Sequence, residues 1–145
     1  MQRVSEINTW IKKIHRAYGQ ELIKLLEEQG YIDLRASFLE ILSFLSENEG
    51  VSIKVIGDYI GLKKQTMTSH LNELQKRGYT ERVEGTKDKR EQLIYLTDYG
   101  KKFRFALKES IDKVQGRYEE KVGEVELERI EMVLKRFHAQ VYEQN

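Results

Sequence analysis

A run of short polar side chains in the middle of the chain has residue types and spacing suited to hydrogen bonding with nucleic-acid bases. Met67, Leu71 and Leu74 repeat at i, i+4 and i+7, which is the spacing of one buried helix face. The polar residues between them lie on or beside the opposite face. They are Gln65, Thr66, Thr68, Ser69 and Asn72. Hydroxyl and amide groups can read base edges in a major groove, although a solvated polar face would show the same pattern.

Positive charge is concentrated around this stretch. The whole chain has a formal net charge of +1, but residues 63–90 carry 8 basic and 4 acidic side chains, a net +4, while residues 1–62 and 91–145 sum to −2 and −1. Phosphate binding depends on this local field more than on the overall charge. The cations nearest the predicted helix are Lys63, Lys64, Lys76 and Arg77, and we expect them to contact phosphates.

A shorter helix precedes the polar one and is joined to it by a tight turn. Ser52 is placed to cap this helix, and the isoleucines at 53, 56 and 60 give it one apolar face. Gly57 falls where a crossing helix requires a residue with almost no side chain, and Gly61 falls where the chain must turn sharply. The pattern indicates a helix-turn-helix.

Two β-prone runs follow Gly78, at residues 79–84 and 92–97, and we expect a hairpin with a basic tip. The tip carries Lys87, Lys89 and Arg90, which suits insertion into a minor groove, with Asp88 placed to orient Arg90 by an ion pair. An ordinary charged loop would look the same in isolation. Its position after a helix-turn-helix favours the nucleic-acid interpretation.

Long amphipathic helices flank the motif. Helical spacing of apolar residues runs from Val4 to Gln29, and Gly30 suits the position just past the end of that helix. Asp33 is a plausible cap for a second, central helix. Thr97 is placed to cap a long helix, which Gly123 separates from a last one. We therefore expect a single, mostly α domain with a minor β component.

Composition excludes several other classes. The chain has no cysteine, which removes disulfides, thiolate metal sites and thiol-based redox sensing, and it has no proline. No run approaches the roughly 18 apolar residues of a membrane span, so we expect a cytoplasmic protein without membrane contact. No catalytic constellation is evident, and His15, His70 and His138 lie on separate predicted helices, so we expect neither an enzyme, nor a metal site, nor a cofactor.

The order of these elements resembles the MarR family of bacterial transcriptional regulators. The segments that carry the resemblance are Gly61-Leu62, Thr66-Met67-Thr68, Leu71-Asn72-Glu73-Leu74, Lys76-Arg77-Gly78-Tyr79, Asp88-Lys89-Arg90 and Leu96-Thr97-Asp98-Tyr99-Gly100, with Gly30-Tyr31-Ile32-Asp33-Leu34-Arg35 outside the central third. All 145 residues can be placed on one domain of this family, with a winged helix-turn-helix at about 33–97 and dimerisation helices at about 4–29 and 98–143.

The resemblance implies a homodimer that binds double-stranded DNA. The family's residues that contact bases in the major groove fall on Gln65, Thr66, Thr68 and Ser69. The family's DNA-contacting residue in the hairpin, or wing, falls on Arg90. Two recognition helices about 34 Å apart would read a pseudo-palindromic site. Two positions depart from the family pattern: lysines stand at 63 and 64, where a capping Ser or Asp is common, and Ser69 stands where an arginine is common. We expect the dimer contact to use Ile7, Trp10, Ile11, Ile14, Ile130, Leu134, Phe137 and Val141.

The resemblance also implies repression that is relieved by a small, often aromatic and anionic, effector. Candidate lining residues are Trp10, His15, Tyr18, Phe38 and Tyr118, although aromatic residues at helical spacing are also ordinary core. A second possibility is a winged helix used for contact with another protein, without specific DNA readout. The sequence does not specify the operator, the regulated genes or the effector.

Overall fold

A computed structural model of the chain describes residues 1–143, and it is mainly helical, as predicted. The helices are α1 (Arg3–Glu28), α2 (Ala36–Glu47), α3 (Ile53–Ile60), α4 (Lys64–Lys76), α5 (Asp98–Val122) and α6 (Glu124–Tyr142), and the strands are β1 (Val51–Ser52), β2 (Thr80–Glu84) and β3 (Gln92–Leu96). Helices α3 and α4 with strands β2 and β3 form the predicted winged helix-turn-helix.

Local chemistry sets the ends of α3. The hydroxyl oxygen of Ser52 accepts a hydrogen bond of 3.2 Å from the amide of Val55, as expected for a cap. Gly61 ends the helix in the left-handed conformation with φ 86°, and its amide donates to the carbonyl oxygen of Gly57. A residue with a Cβ would be strained there, so this glycine permits the sharp turn into α4.

The sheet has three strands rather than the predicted two. Its order is β1-β3-β2, with both pairs antiparallel. In the hairpin, Thr80 pairs with Leu96 and Glu84 with Gln92. Strand β1 pairs Val51 with Ile94. It is two residues long, too short for a period-2 pattern, and it exists because the loop before α3 lies along β3.

The chain divides into two compact units, Met1–Ser110 and Ile111–Asn145. In the first unit, apolar side chains from helices α1 to α5 and from β3 are almost completely buried. The largest contributors are Leu26, Phe38, Ile41, Leu42, Leu45, Ile56, Met67, Leu71, Leu74, Tyr79, Ile94 and Phe103. The core thus fixes α4 by its apolar face. The expectation of a single domain stays a prediction.

Of the two other predicted side-chain caps, Thr97 and Asp33, only one is correct. The hydroxyl oxygen of Thr97 accepts a 3.0 Å hydrogen bond from the amide of Gly100, which confirms Thr97 as the cap of α5. Asp33 was the wrong choice for α2, because the residue that precedes this helix is Arg35, in an extended conformation and without a side-chain cap. The side chain of Asp33 instead accepts a hydrogen bond from Tyr79.

The second unit contains the end of α5 and all of α6. Gly123 separates the two helices with φ 93°, as predicted. None of the residues of α6 is buried. Among the described residues, no helix combines the length and the apolar composition that crossing a membrane requires.

Candidate nucleic-acid interface

Helix α4 presents the predicted polar surface. Met67, Leu71 and Leu74 are completely buried, which fixes the rotation of the helix about its axis. Gln65, Thr66, Ser69 and Asn72 are exposed, and Thr68 is half-buried at the edge of the same surface. The hydroxyl and amide groups predicted to read bases are therefore together on the outer face of one helix.

The start of α4 lacks a side-chain cap. Lys63 precedes the helix in an extended conformation and makes no capping hydrogen bond, and Lys64 opens the first turn. Both lysines are exposed. Two exposed ammonium groups therefore lie at the uncapped N-terminus of α4, an arrangement that favours an anion such as a phosphate. Phosphate binding at this end stays a prediction.

The tip of the hairpin is closed by its own hydrogen bonds. The amide of Gly85 donates to the carbonyl oxygen of Glu91 at 2.8 Å. Asp88 Oδ1 accepts from the amide of Arg90 at 3.0 Å and from its Nε at 3.2 Å, which confirms the predicted ion pair. The Arg90 side chain is 93% exposed, and Lys87 is also exposed. The backbone amide and Nε of Arg90 are held by Asp88, while most of its side chain is exposed to solvent. Such a cation is suited to enter a groove.

Arg82 connects the hairpin to α4, and sequence reasoning missed it. Its Nη2 donates a 2.5 Å hydrogen bond to Asn72 Oδ1, and its Nη1 donates at 3.4 Å to Gln92 Oε1. The signal available in the sequence was an arginine at an inward position of the first hairpin strand, two residues after Thr80. A strand pattern does not reveal which helix residue such a side chain will contact.

The far end of α4 is fastened to the linker before α2. Arg77 donates from its guanidinium to the carbonyl oxygen of Asp33 and lies 3.4 Å from a carboxylate oxygen of Glu73. Tyr79 donates to Asp33 Oδ1 at 2.8 Å. Lys76, in the last turn, is exposed beside this cluster. The C-terminal end of α4 is therefore positioned by defined contacts.

The residues predicted to dimerise form exposed apolar surfaces within each unit. On α1, Ile7 is 36% exposed and Trp10 57%; on α6, Leu134 is 45% exposed and Phe137 44%. The remaining predicted residues are similarly exposed: Ile11, Ile14, Ile130 and Val141. So much exposed aliphatic and aromatic surface on two helices is typical of an interaction surface. Dimerisation itself stays a prediction.

The predicted effector residues have different environments. Phe38 is completely buried, with the guanidinium of Arg35 4.4 Å and that of Arg77 5.2 Å from its ring centre. His70, which is half-buried, packs edge-on against the same ring. Phe38 is thus part of the core in this structure.

The other four candidates lie nearer the surface. Trp10 is exposed with Lys13 Nζ 4.7 Å from its ring centre, and His15 Nε2 lies 3.3 Å from Glu40 Oε1. Tyr18 in the first unit and Tyr118 in the second are half-buried. Their role in effector binding stays a prediction.

A cleft of about 330 Å³ lies elsewhere, between α3 and α4, lined by Ile53, Lys54, Gly57, Asp58, Leu62, Lys64 and Met67. It contains none of the predicted effector residues. Across residues 1–143, no group of three or more histidine, aspartate or glutamate side chains is arranged to hold a metal ion.

Comparison with known sequences matches the central part of the chain. The family model described as MarR family matches residues 39–91, which run from α2 to the tip of the hairpin. The HTH-type transcriptional regulator SarZ of Staphylococcus haemolyticus is 35% identical over 78 residues, a match that covers 54% of this chain and 52% of SarZ. The chain thus spans about half the length of this curated relative.

Comparison with solved structures covers nearly the whole chain. The structure of reduced AbfR bound to DNA matches with 25% identity and a TM-score of 0.65, over 92% of this chain and 93% of AbfR. CouR of Rhodococcus jostii RHA1, solved with p-coumaroyl-CoA, matches with 22% identity and a TM-score of 0.76, over 100% of this chain and 99% of CouR, which shows a shared fold. The central part of the chain is therefore similar to the MarR family, and the chain shares the fold of these solved regulators.

Proposed function

We propose that this protein is a sequence-specific DNA-binding transcriptional regulator that acts in the cytoplasm as a homodimer, most simply as a repressor. The observation that carries the proposal is the polar outer face of α4, on which Gln65, Thr66 and Ser69 are exposed. Lysines lie at the uncapped start of this helix, and the hairpin that follows it has a basic tip. Hydrogen-bonding groups for bases and cations for phosphates thus lie on one winged helix-turn-helix.

The roles divide by chemistry. Gln65, Thr66, Thr68 and Ser69 enter the major groove, where their amide and hydroxyl groups discriminate between base pairs. Lys63, Lys64 and Lys76 contact phosphates at the two ends of α4, and Arg90 and Lys87 reach the adjacent minor groove. The lysines and Arg90 supply affinity that depends on salt, and the helix face supplies sequence preference.

The homodimer is supported by the exposed apolar faces of α1 and α6. Aliphatic and aromatic side chains such as Trp10 and Phe137 would otherwise remain in water. A two-fold symmetric dimer carries two copies of α4 and would read a pseudo-palindromic operator.

Control by a small aromatic anion is the second part of the proposal. CouR, which shares the fold, was solved with p-coumaroyl-CoA. In this chain Trp10 is the single tryptophan, so its fluorescence reports directly on binding near α1. Aromatic carboxylates added to the protein should change this fluorescence and release bound DNA at the same concentrations. A fluorescence change without DNA release would separate binding from control.

The experiment that tests DNA binding is an electrophoretic shift of genomic fragments by the full chain at moderate salt, with nonspecific competitor. Retention of a small subset of fragments supports the proposal. Failure to retain any fragment, together with capture of a specific protein partner, would favour the alternative of a winged helix used for protein contact.

A further inference from the structure

Arg82 lies on the face of β2 that packs toward α4. Thr80, two residues earlier on the same face, is 2% exposed, and Arg82 is half-buried. Its guanidinium spans two elements, with Nη2 2.5 Å from Asn72 Oδ1 on α4 and Nη1 3.4 Å from Gln92 Oε1 on β3. The side chain therefore ties the recognition helix to the hairpin.

This contact decides which way the Asn72 amide points. A guanidinium has only donors, so it can be contacted by the carbonyl oxygen of an asparagine but not by its NH₂ group. A hydrogen bond from a charged donor is also stronger than one between neutral groups. With Oδ1 held by Arg82, the Nδ2 group of Asn72 is directed away from the hairpin strand, on an exposed residue of α4.

Arg82 is less exposed to solvent than a cation that contacts phosphate would be. Its Nε is buried and has no hydrogen-bond partner within the described part of the chain, and its Nη groups are directed at protein oxygens. Arg90, in contrast, has a side chain 93% exposed. Because its Nε is buried and its Nη groups contact protein oxygens, Arg82 is placed to hold Asn72 rather than to bind a phosphate.

We propose that Arg82 is a positioning residue for base recognition, which orients Asn72 so that its N–H group faces the DNA as a donor. The inference rests on the proposed function. An asparagine that offers both its oxygen and its nitrogen satisfies both N6 and N7 of adenine. A donor alone can reach N7 of adenine but leaves the N6 amino group without an acceptor, whereas it is complementary to O6 and N7 of guanine or O4 of thymine. At the base facing Asn72, the protein therefore prefers guanine or thymine and disfavours adenine.

The test uses the full-length protein and duplexes selected from a random pool, followed by binding measurements with all four base pairs at each position. Positions read by Asn72 are those whose preference changes in Asn72→Ala. There the unmodified protein should favour guanine or thymine over adenine by about fivefold to a hundredfold. Arg82→Met frees the amide, so adenine should become accepted at these positions while preferences elsewhere are retained.

Two matched variants separate positioning from charge. Arg82→Lys keeps the charge but not the planar group that bridges two acceptors, so it should lose the preference as Arg82→Met does. Asn72→Asp keeps an acceptor for Arg82 and removes the N–H donor, so it should lose the preference for guanine or thymine without loss of thermal stability. This variant keeps the test decisive even if Arg82→Met does not fold.

Three results would overturn the inference. One is a preference for adenine at these positions in the unmodified protein. Another is a loss of affinity in Arg82→Met that is equal on all sequences and leaves the base preference unchanged. If Arg82→Lys restored that affinity, Arg82 would be a phosphate contact. The third is a protein that selects no sequence at all, which would overturn the proposed function together with the inference, whereas the first two results leave the proposed function standing.

Discussion

Tyr79 Oη donates a 2.8 Å hydrogen bond to Asp33 Oδ1, joining the residue just past the end of α4 to the linker before α2. The ring of Tyr79 is completely buried, and Arg77 contacts the carbonyl oxygen of the same aspartate. The end of the recognition helix is therefore held to the linker by both a side-chain and a main-chain contact.

Removing the phenol hydroxyl should lower stability. Tyr79→Phe leaves the ring packed but takes the hydrogen-bond donor from a partly buried aspartate, and we expect a loss of about 1 kcal/mol in the free energy of unfolding. Tyr59→Phe is the control, because Tyr59 is 75% exposed and its change should be neutral. Urea denaturation of the two variants measures the difference. Equal stability of both variants would show that the bond to Asp33 contributes nothing.

Tyr79 should also make the folded protein less stable at alkaline pH. Burial first, and then the hydrogen bond to Asp33, raise the pKa of Tyr79 above its ordinary value of 10.0. Above that pH the unfolded chain has released this proton and the folded chain has not, so the stability contributed by the neutral phenol is complete below about pH 10 and is lost as the pH rises. Stability measured from pH 8 to 11 should fall less steeply in Tyr79→Phe, by up to about 1.4 kcal/mol per pH unit. Parallel curves for the two proteins would contradict the pKa shift.

The crossing of α3 and α4 depends on Gly57. A Cβ at this position would lie 3.0 Å from the carbonyl oxygen of Leu62 and 3.1 Å from Met67 Cγ. We expect Gly57→Ala to destabilise the protein by about 1–3 kcal/mol, because the backbone at Leu62 has to move. It should also weaken specific DNA binding more than nonspecific binding, since α4 shifts.

Gly116→Ala on α5 is the matched control for Gly57. A Cβ there would have no neighbour within 4 Å, and the residue is inside a helix. Alanine should stabilise it by about 0.5–1 kcal/mol. Thermal melts measure the stability of both variants. A neutral or stabilising effect of Gly57→Ala would show that α3 and α4 do not pack as closely as the structure indicates.

Charge placed on α6 should break the proposed homodimer. Leu134 is 45% exposed, and Leu134→Glu would bury a carboxylate in the proposed interface, where an unpaired charge is strongly unfavourable. We expect monomers at micromolar concentration by sedimentation, and loss of binding to a palindromic site. Lys135→Ala, one residue further on and with a side chain 75% exposed, should remain dimeric. If the unmodified protein is monomeric, or if Leu134→Glu remains a dimer, this interface is wrong.

The hairpin tip should contribute affinity without sequence preference. Arg90→Ala should weaken binding to most sequences. It should also reduce the magnitude of the slope of log affinity against log salt concentration by about 1, because one phosphate-neutralising cation is lost. Arg90→Lys should largely retain that slope. Lys108→Ala serves as the off-site control, since Lys108 is an exposed cation on α5. Affinity measured over a salt series gives the slopes, and a change of base preference in Arg90→Ala would assign this residue to direct readout instead.

Local patterns were enough to predict the motif but not its connections. The i, i+4, i+7 spacing of Met67, Leu71 and Leu74 and the sharp turn at Gly61 are properties of short segments, and both predictions were confirmed. The pairing of β1, the bond from Tyr79 to Asp33 and the bond from Arg82 to Asn72 each join residues that are distant in the chain. Periodicity carries no information about such partners.

In vitro selection of binding sites by the full-length protein and by Thr66→Ala, followed by footprinting, tests the central claim most directly. Thr66 is exposed on α4 and is a proposed base reader. The unmodified protein should enrich a pseudo-palindrome with half-sites about 10 base pairs apart, and Thr66→Ala should relax the preference at symmetric positions in both halves. Enrichment of no sequence, or of the same sequences with a uniform loss of affinity in Thr66→Ala, would contradict base recognition by this helix.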